Sequence, residues 1–342
     1  MPVIKKILVV RNDKIGDFML ALPAIQVIKK AFPEARVTAL VPNYTKDIAE
    51  SFEWIDEVII DSKDSKKKRG LAKQLKVESF DAAICLFSNT YNATLVRQAK
   101  IPIRVAPATK LAQFLYTHTL RQRRSTSSKP EFEYNLDLAR YFIKVLGGNC
   151  LQEERPLLSY ATQVLDKQRS KLLKVGILTP EKQCFIHPVT GGSSNTLSIA
   201  QWVKLIKYLN QLDLFHFVIT AGPGESLISQ SLVDALQAEK IKAALYDKND
   251  GVADFMRSIA LADLFIAGST GPLHIAGALD VPCIGFYPSR RSATPLRWKT
   301  LNSEGYWLPF SPSGQEDSLE NLDVDNIFPE IKLWYFNLAK KG

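Results

Sequence analysis

Short apolar runs alternate with longer amphipathic segments along most of this chain, and this alternation constrains its fold more than any other feature. In the first half the apolar runs, which we expect to be buried strands, are residues 7–10, 37–41, 58–60 and 82–87. After a weaker zone near residues 155–182 the alternation restarts, with strands expected at residues 184–187, 215–220, 243–246, 264–267 and 283–286. Strands that alternate with helices form parallel sheets, so the pattern predicts an α/β protein with two Rossmann-like domains.

The segments between these strands carry apolar residues at helical spacing. The first is residues 17–32, and Pro23 inside it predicts a kink. Another is residues 134–146, which follows an Arg- and Ser-rich stretch near residues 107–135 that predicts an exposed loop. In the second half we expect helices at residues 198–211, 224–239, 252–261 and 272–279.

Composition narrows the class of protein. The chain has 342 residues, enough for two domains, and 46% of them are hydrophobic, which excludes a disordered chain. Its 44 basic and 35 acidic residues give a net charge of +9, which favours acidic partners, but no nucleic-acid recognition motif accompanies the charge. The four cysteines form no CxxC pair, so we expect neither a zinc ribbon nor a disulfide framework. Without a signal peptide or an 18-residue apolar run, the sequence predicts a cytoplasmic protein.

Ligands of doubly wound sheets bind where strands end and helices begin, so these junctions are the candidate sites. The first junction, residues 11–17, lacks both the GxGxxG pattern of dinucleotide sites and the GxxxxGK[ST] pattern of phosphate-binding loops. It ends in Asp17, whose carboxylate has two interpretations: a group that caps the helix, or a catalytic base.

Two junctions of the second half combine glycines with hydroxyl or acidic residues. Residues 187–194 suit a phosphate through their amides and hydroxyls, or form an ordinary flexible loop. Glu225 follows Gly222 and Gly224 and is a candidate for a ribose contact, or for a helix N-terminal carboxylate.

A third junction, residues 268–274, has the pattern of an anion-binding helix N-terminus. Pro272 suits the first helical turn, which makes Gly271 the expected N-cap. The amides of this turn would then point at an anion, with His274 as a further donor or simply a packed residue.

Taken together, these junctions resemble glycosyltransferase family 9, the heptosyltransferases that build the inner core of lipopolysaccharide. Residues 7–17 (ILVVRNDKIGD) and 22–25 (LPAI) look like the opening signature of that family. Residues 269–276 (STGPLHIA) look like its donor-site signature, and the similarity in order and spacing covers residues 5–290.

The resemblance implies a GT-B architecture, in which two Rossmann-like domains with parallel sheets face each other across a cleft. It implies an acceptor-binding domain at residues 1–165, a nucleotide-sugar-binding domain at residues 175–320, and a C-terminal helix within residues 321–342 that packs back towards the first domain. The implied reaction is inverting transfer of heptose or a related sugar, without metal or other cofactor. The donor would be a nucleotide diphosphate sugar, typically ADP-heptose, and the acceptor lipid A–Kdo or the lipopolysaccharide core.

By motif position, the resemblance makes Asp17 the general base, with Lys14 and Gly16 beside it on the acceptor side. On the donor side it implies diphosphate, sugar and ribose contacts from Thr190, Gly191, Gly192, Ser193, Glu225, Ser269, Thr270, Gly271, Pro272 and His274. Two donor-side positions depart from the family pattern: Asn195 replaces the usual lysine, and Ser269 replaces an aspartate found in many members. The missing lysine predicts weak diphosphate binding unless another cation takes its place; the candidates are Lys182, Arg290 and Arg291.

Two basic clusters remain: residues 66–69, and the group Arg121, Arg123 and Arg124. Arg121 and Arg124 are candidates for binding the acidic groups of the acceptor, and both clusters for contact with an anionic inner membrane; the alternative is a pair of solvated loops. Two other functions stay open, a sugar-nucleotide epimerase of similar fold and a catalytically weak nucleotide-sugar-binding protein.

Overall fold

The computed structural model describes residues 3–64, 66–190, 196–312, 318–338 and 340, and they form two compact domains, residues 1–154 and 155–342. The first domain is one six-stranded parallel sheet with helices. Its strands are β1 (Lys6–Val10), β2 (Arg36–Val41), β3 (Glu57–Ile60), β4 (Ala82–Cys85), β5 (Ile103–Pro107) and β6 (His118–Leu120). Its helices are α1 (Ile15–Met19), α2 (Leu22–Ala31), α3 (Lys46–Glu50), α4 (Lys68–Glu78), α5 (Thr90–Gln98) and α6 (Glu131–Val145), with short 3-10 helices at Asn43–Thr45, Leu111–Leu115 and Arg124–Thr126.

Strand β1 is central in the order β3-β2-β1-β4-β5-β6, because its apolar side chains are buried on both faces. The strand order reverses between β1 and β4. Ligands of such sheets bind outside the carboxyl ends of the strands at this reversal. The segment 11–17 leaves β1 there.

The second domain repeats this arrangement. Its strands are β7 (Lys182–His187), β8 (Phe215–Thr220), β9 (Ala243–Tyr246), β10 (Leu264–Gly268), β11 (Cys283–Phe286) and β12 (Trp307–Phe310). Its helices are α7 (Thr162–Lys174), α8 (Ile199–Leu209), α9 (Ser226–Ala238), α10 (Val252–Ile259), α11 (Gly271–Ala278) and α12 (Val324–Leu338), with 3-10 helices at Arg291–Ala293 and Leu319–Asn321. The order β9-β8-β7-β10-β11-β12 is the order of the first sheet, so the second reversal lies between β7 and β10.

The predicted helix over residues 17–32 is two helices, α1 and α2, separated at Leu20 and Ala21. Pro23 lies in the first turn of α2, where its missing N–H costs no hydrogen bond. The prediction of a kink was therefore wrong, because the proline begins a helix instead of bending one. Strands β5, β6 and β12 and helix α7 lie where the sequence pattern was weak.

The domain boundary falls at Glu154 and Arg155, before the expected end of the first domain at residue 165. Arg155 donates to the Leu301 carbonyl at 2.9 Å, and the Leu158 amide to the Ala278 carbonyl at 3.0 Å, so this segment belongs with the second sheet.

Helix α12 packs on the core of the second domain. Ile331 is fully buried, and the Phe328 ring stacks on Tyr208 with centroids 4.4 Å apart. The Tyr335 hydroxyl donates to Asp213 at 2.6 Å. The expected packing of this segment towards the first domain stays a prediction. No helix in the described ranges combines the length and apolarity that crossing a membrane requires.

Candidate active site

A buried guanidinium lies at the carboxyl end of β1. The Arg11 side chain is 2% exposed, and its Nη2 donates to Asp17 Oδ1 at 2.5 Å. Its Nε lies 2.8 Å from Asp13 Oδ1, and its Nη1 lies 3.5 Å from Glu131 Oε1. Burial disfavours the charged form, but the three carboxylates outweigh it and raise the pKa of Arg11. Arg11 is therefore a fixed cation at the centre of an acidic cluster.

Asp17 lies in the first turn of α1, and its side chain is 18% exposed. The N-cap residue of this helix is Lys14, so Asp17 is not the N-cap, but its carboxylate lies in the first turn, where the helix dipole favours it as expected. The carboxylate is oriented by Arg11 and stays partly open to solvent. Its predicted role as a base stays a prediction, and the geometry is compatible with it.

Asp13 is a second acid on the same guanidinium. Burial raises the pKa of Asp13 to about 6, against the opposing effect of Arg11. Sequence reasoning did not identify Arg11, Asp13 or Glu131 as members of this site. The position of Arg11 and Asp13 at the end of a strand could have indicated them. Glu131 could not be predicted, because only the packing of α6 on α2 brings it to Arg11.

A second buried polar network joins the carboxyl ends of β1, β3 and β4. The Asn12 and Asn92 side chains exchange hydrogen bonds at 2.8 Å, and Asn12 also donates to Asp61 at 2.5 Å. Tyr91 donates to the other oxygen of Asp61 at 2.8 Å, and Lys68 Nζ lies 4.6 Å from the Tyr91 ring centroid. Lys68 is thus packed into this network, whereas the other bases of its run are exposed.

The residues predicted for the acceptor side do not form one cluster. Lys14, which is exposed, and Gly16 flank the start of α1 close to Asp17. Arg124 joins the buried acidic cluster, since its Nη1 donates to Glu131 Oε1 at 2.6 Å. Arg121 lies in neither place.

Arg121 lines a cavity of about 420 Å³ beside β6 and α6. Its charged lining side chains are Arg121, Arg123, Lys129, Asp137 and Arg140. Asp137 pairs with Lys129 and lies 3.7 Å from Arg140. With four bases and one acid, the cavity suits an anionic group such as a phosphate or a carboxylate.

The donor-side junctions lie on neighbouring strands, because the second sheet places β7 between β8 and β10. Thr190 follows β7 and packs against the end of β10, where a Cβ on Gly268 would lie 3.0 Å from Thr190 Cγ2. Glycine at position 268 therefore lets the two loops approach closely. Gly191, Gly192 and Ser193 lie outside the described residues, and their contacts stay predictions.

Glu225 precedes α9 and folds back onto its own loop. Its Oε2 accepts from the Gly222 amide at 2.7 Å and lies 3.6 Å from His187 Nε2. The His187 ring bonds the Thr220 hydroxyl through Nδ1 at 2.9 Å. Burial lowers the pKa of His187, opposed by Glu225. Glu225 is thus held in place by the loop, and its side chain stays 15% exposed.

The start of α11 has two unsatisfied polar groups. Thr270 is the N-cap, so the expectation that Gly271 holds this position is wrong by one residue; Pro272 lies in the first turn as predicted. Among the described residues, Thr270 Oγ1 and His274 Nδ1 are buried without a hydrogen-bond partner. Burial lowers the pKa of His274 to about 4, so the ring is neutral at pH 7. The two groups lie at the N-cap and in the first turn of α11 and are candidates for hydrogen bonds to an anion at this helix N-terminus.

The candidate replacements for the missing lysine are now separated by position. Lys182 is the first residue of β7, so it lies at the end of the sheet opposite to the strand-to-helix junctions, and it pairs with Asp213 at 2.6 Å. It is therefore excluded as the replacement for the lysine. Arg290 and Arg291 follow β11, which lies beside β10. They are exposed at the carboxyl ends of the strands, where the donor-side junctions also lie. Ser269 connects the same two strands, since its amide donates to the Phe286 carbonyl at 2.9 Å. Within the part of the chain that the structure describes, no group of three His, Cys, Asp or Glu side chains is placed to hold a metal ion.

Comparisons with known proteins bear on the family and the fold of this chain. The family model of glycosyltransferase family 9 (heptosyltransferase) matches residues 68–316. A Haemophilus influenzae protein named "Putative glycosyltransferase" is 44% identical over 340 residues, which cover 98% of each chain. The Veillonella parvula family 9 glycosyl transferase superposes with a TM-score of 0.81 at 15% identity, over 98% of this chain and 99% of that one. E. coli ADP-heptose LPS heptosyltransferase II gives a TM-score of 0.78 at 16% identity, over the same shares, and the predicted GT-B fold is confirmed.

Proposed function

The chain belongs to glycosyltransferase family 9, and we propose that it transfers heptose or a related sugar from ADP-heptose to a lipopolysaccharide inner-core acceptor. One observation carries the proposal: a fixed carboxylate follows the central strand of the first domain, and an unsatisfied helix N-terminus follows β10 in the second. Inverting transfer needs these two elements, a base for the acceptor and stabilisation for the leaving diphosphate. The choice of donor follows the E. coli relative, whose name includes ADP-heptose.

Asp17 is the proposed base. As the acceptor oxygen bonds to the anomeric carbon of the donor, its proton passes to the Asp17 carboxylate. The bond from that carbon to the diphosphate oxygen breaks, and ADP leaves with the electron pair. Arg11 holds the carboxylate in one orientation, because the ion pair at 2.5 Å fixes one of its oxygens.

The start of α11 is the proposed site for the diphosphate. The Thr270 hydroxyl and the neutral His274 ring supply hydrogen bonds that nothing else satisfies in the described structure. The helix N-terminus adds its free amides, and Arg290 or Arg291 supplies the charge that Asn195 lacks. Glu225, on the neighbouring loop, is proposed to accept from the ribose hydroxyls.

The cationic cavity beside α6 is the proposed site for an acidic group of the acceptor. Arg121 and Arg123 line this cavity, and we propose that they bind the phosphates or carboxylates of lipid A–Kdo, which are anionic at neutral pH. Arg124 contributes indirectly, because it holds Glu131 beside Arg11.

The test is turnover of ADP-heptose with a lipid A–Kdo acceptor, followed by mass spectrometry of both products, in buffer that contains EDTA. We expect the acceptor to gain one heptose and ADP to appear in equal amount, with no contribution from metal. Conversion of the donor to an isomer without acceptor would instead indicate an epimerase. Binding of ADP without turnover on any core acceptor would indicate a nucleotide-sugar-binding protein.

A further inference from the structure

The last residue of β7 is a buried histidine that lies beside Glu225. Only 7% of the His187 side chain is exposed, and its Nε2 lies 3.6 Å from Glu225 Oε2. In the proposed function Glu225 alone contacts the ribose, and the His187 ring has no part. The hydrogen bonds around this ring determine which of its two nitrogens carries the proton.

The Thr220 hydroxyl fixes the tautomer of His187. It donates to the Ile186 carbonyl oxygen at 3.2 Å, and it lies 2.9 Å from His187 Nδ1. Because a carbonyl oxygen can only accept, the single hydroxyl proton is used there, and the hydroxyl oxygen accepts from Nδ1. The proton of the neutral ring is therefore on Nδ1, and Nε2 carries a lone pair.

Nε2 of His187 and the carboxylate of Glu225 are thus two acceptors that face each other. Burial holds the pKa of His187 below its usual value of 6.5, so at pH 7 no ring proton lies between them. Within the part of the chain that the structure describes, no group donates a hydrogen bond to Nε2. Two facing acceptors repel each other, whereas a ligand that donates to both satisfies them.

The loop and helix around Glu225 hold this pair of acceptors in place. Glu225 Oε2 accepts from the Gly222 amide at 2.7 Å, and the Glu225 carbonyl accepts from the Ser229 amide at 3.2 Å. The Ser229 hydroxyl donates to the Thr220 carbonyl at 3.1 Å, which ties α9 to the end of β8. Thr220 therefore orients the His187 ring through its hydroxyl and anchors the helix that follows Glu225 through its carbonyl. The spacing of the two acceptors is set before any ligand binds.

We propose that His187 Nε2 and Glu225 Oε2 bind the cis diol of the donor ribose together, with one hydroxyl donating to each acceptor. The two ribose hydroxyls are neighbours, so their protons reach two acceptors that lie 3.6 Å apart. A deoxyribose lacks one hydroxyl and leaves one acceptor unpaired, and a site built to hydrogen-bond a hydroxyl rejects an analogue without it. His187 is thereby a specificity-determining residue for ribonucleotides. This inference rests on the proposed function, because it deepens the ribose contact of Glu225.

The first experiment compares by calorimetry the affinities of ADP, 2′-deoxy-ADP and 3′-deoxy-ADP for the full chain. We expect ADP to bind the wild type roughly 3- to 10-fold more tightly than either deoxy analogue. His187→Asn keeps a donor for the Thr220 hydroxyl but lacks Nε2, so it should bind one of the two analogues as tightly as ADP. The matched control is His216→Gln, which changes another buried histidine of the second domain and keeps a donor for the Ile177 carbonyl. The control should retain the wild-type ratios.

The second experiment reads the tautomer directly and needs no variant that folds. Nitrogen NMR of the histidine-labelled wild type, which has four histidines, separates a protonated ring nitrogen from a bare one. In the ligand-free protein at pH 7 we expect His187 to carry its proton on Nδ1 and a lone pair on Nε2. The Nε2 signal should move upfield when ADP binds, because a hydroxyl then donates to it. A protonated Nε2 in the free protein would overturn the proposal, whatever nucleotide binds.

The outcomes separate this inference from the proposed function. If ADP binds and His187→Asn keeps the wild-type ratios for both analogues, the inference is wrong and the proposed function stands. Tight binding of UDP or GDP in place of ADP, with the same dependence on His187, would contradict the proposed donor and support the inference. If no ribonucleoside diphosphate binds the wild type, both are wrong.

Discussion

The guanidinium of Arg11 reaches from the end of β1 into the first turn of α1 and donates to the carboxylate of Asp17 at 2.5 Å. The pair joins a completely buried cation to a partly exposed acid, so the acid has one fixed oxygen and a solvent-facing side. This relationship makes the role of Asp17 testable without disturbing the fold.

Asp17→Asn should lower turnover by about 10²–10⁴-fold, because the amide keeps the shape of the side chain but cannot accept the proton. The melting temperature and the affinity for ADP should change little. Asp13→Asn is the matched control, since it removes another carboxylate from the same guanidinium and should leave turnover within a few-fold of wild type. A stable Asp17→Asn enzyme with the wild-type rate would show that Asp17 is not the catalytic base.

Arg11→Lys should reduce kcat by about tenfold or more while leaving the KM for the donor unchanged. A lysine keeps the charge but offers one compact ammonium group in place of a fork that reaches three carboxylates, so Asp17 loses its fixed orientation. Steady-state kinetics at saturating donor measures this. An increase in donor KM with unchanged kcat would show that Arg11 does not act through Asp17.

Glu225→Gln tests the ribose contact separately from the structural one. The glutamine can still accept from the Gly222 amide, so the melting temperature should hold, whereas the affinity for ADP should weaken by about 1–3 kcal/mol. Calorimetry with ADP reports the affinity. If the melting temperature falls and ADP binds as before, Glu225 is a loop-closing residue only.

The cation at the diphosphate is tested by three variants. Asn195→Lys should tighten ADP binding, because it restores the family's lysine, and Arg290→Ala/Arg291→Ala should weaken it. Lys182→Ala serves as the control, since this lysine lies at the far edge of the sheet and pairs with Asp213. An unchanged affinity in the double arginine variant would remove both residues from the site.

His274 gives a prediction about pH and stability. Its pKa falls from 6.5 to about 4 on folding, so the unfolded chain binds a proton between these values that the folded chain does not. The stability from the neutral ring is complete above pH 6.5 and is lost as the pH falls towards 4, by up to about 3 kcal/mol. His274→Gln does not titrate, so its free energy of unfolding should fall less steeply over that range in denaturant titrations. Parallel curves for the two proteins would contradict the burial of this ring.

The alternation of strands and helices was readable from the sequence because central strands such as β1 and β7 are apolar on both faces. Strands β6 and β12 were not, because β6 has only three residues, all partly exposed, and β12 contains Pro309, which argues against a strand. The break before Pro23 was missed for another reason, since the apolar spacing continues across it and only hydrogen bonding shows that a helix ends there.

Some residues of the candidate site could likewise be predicted from the sequence, and others could not. Asp17, Glu225 and Thr270 were identifiable because each stands at a strand-to-helix junction, a position that local sequence reveals. The contact of Arg11 with Glu131 was not, since it depends on how α6 packs, and no pattern within either segment reports it.

The single passage between the domains, at Glu154 and Arg155, has a consequence for how the molecule is made. A chain synthesised from its amino end completes all six strands of the first sheet, and helix α6 with Glu131, before any strand of the second sheet exists. No strand of the early half has to wait for a partner from the late half. Arg11 and Asp17 can therefore meet on a finished domain while the ribosome has yet to reach Thr270.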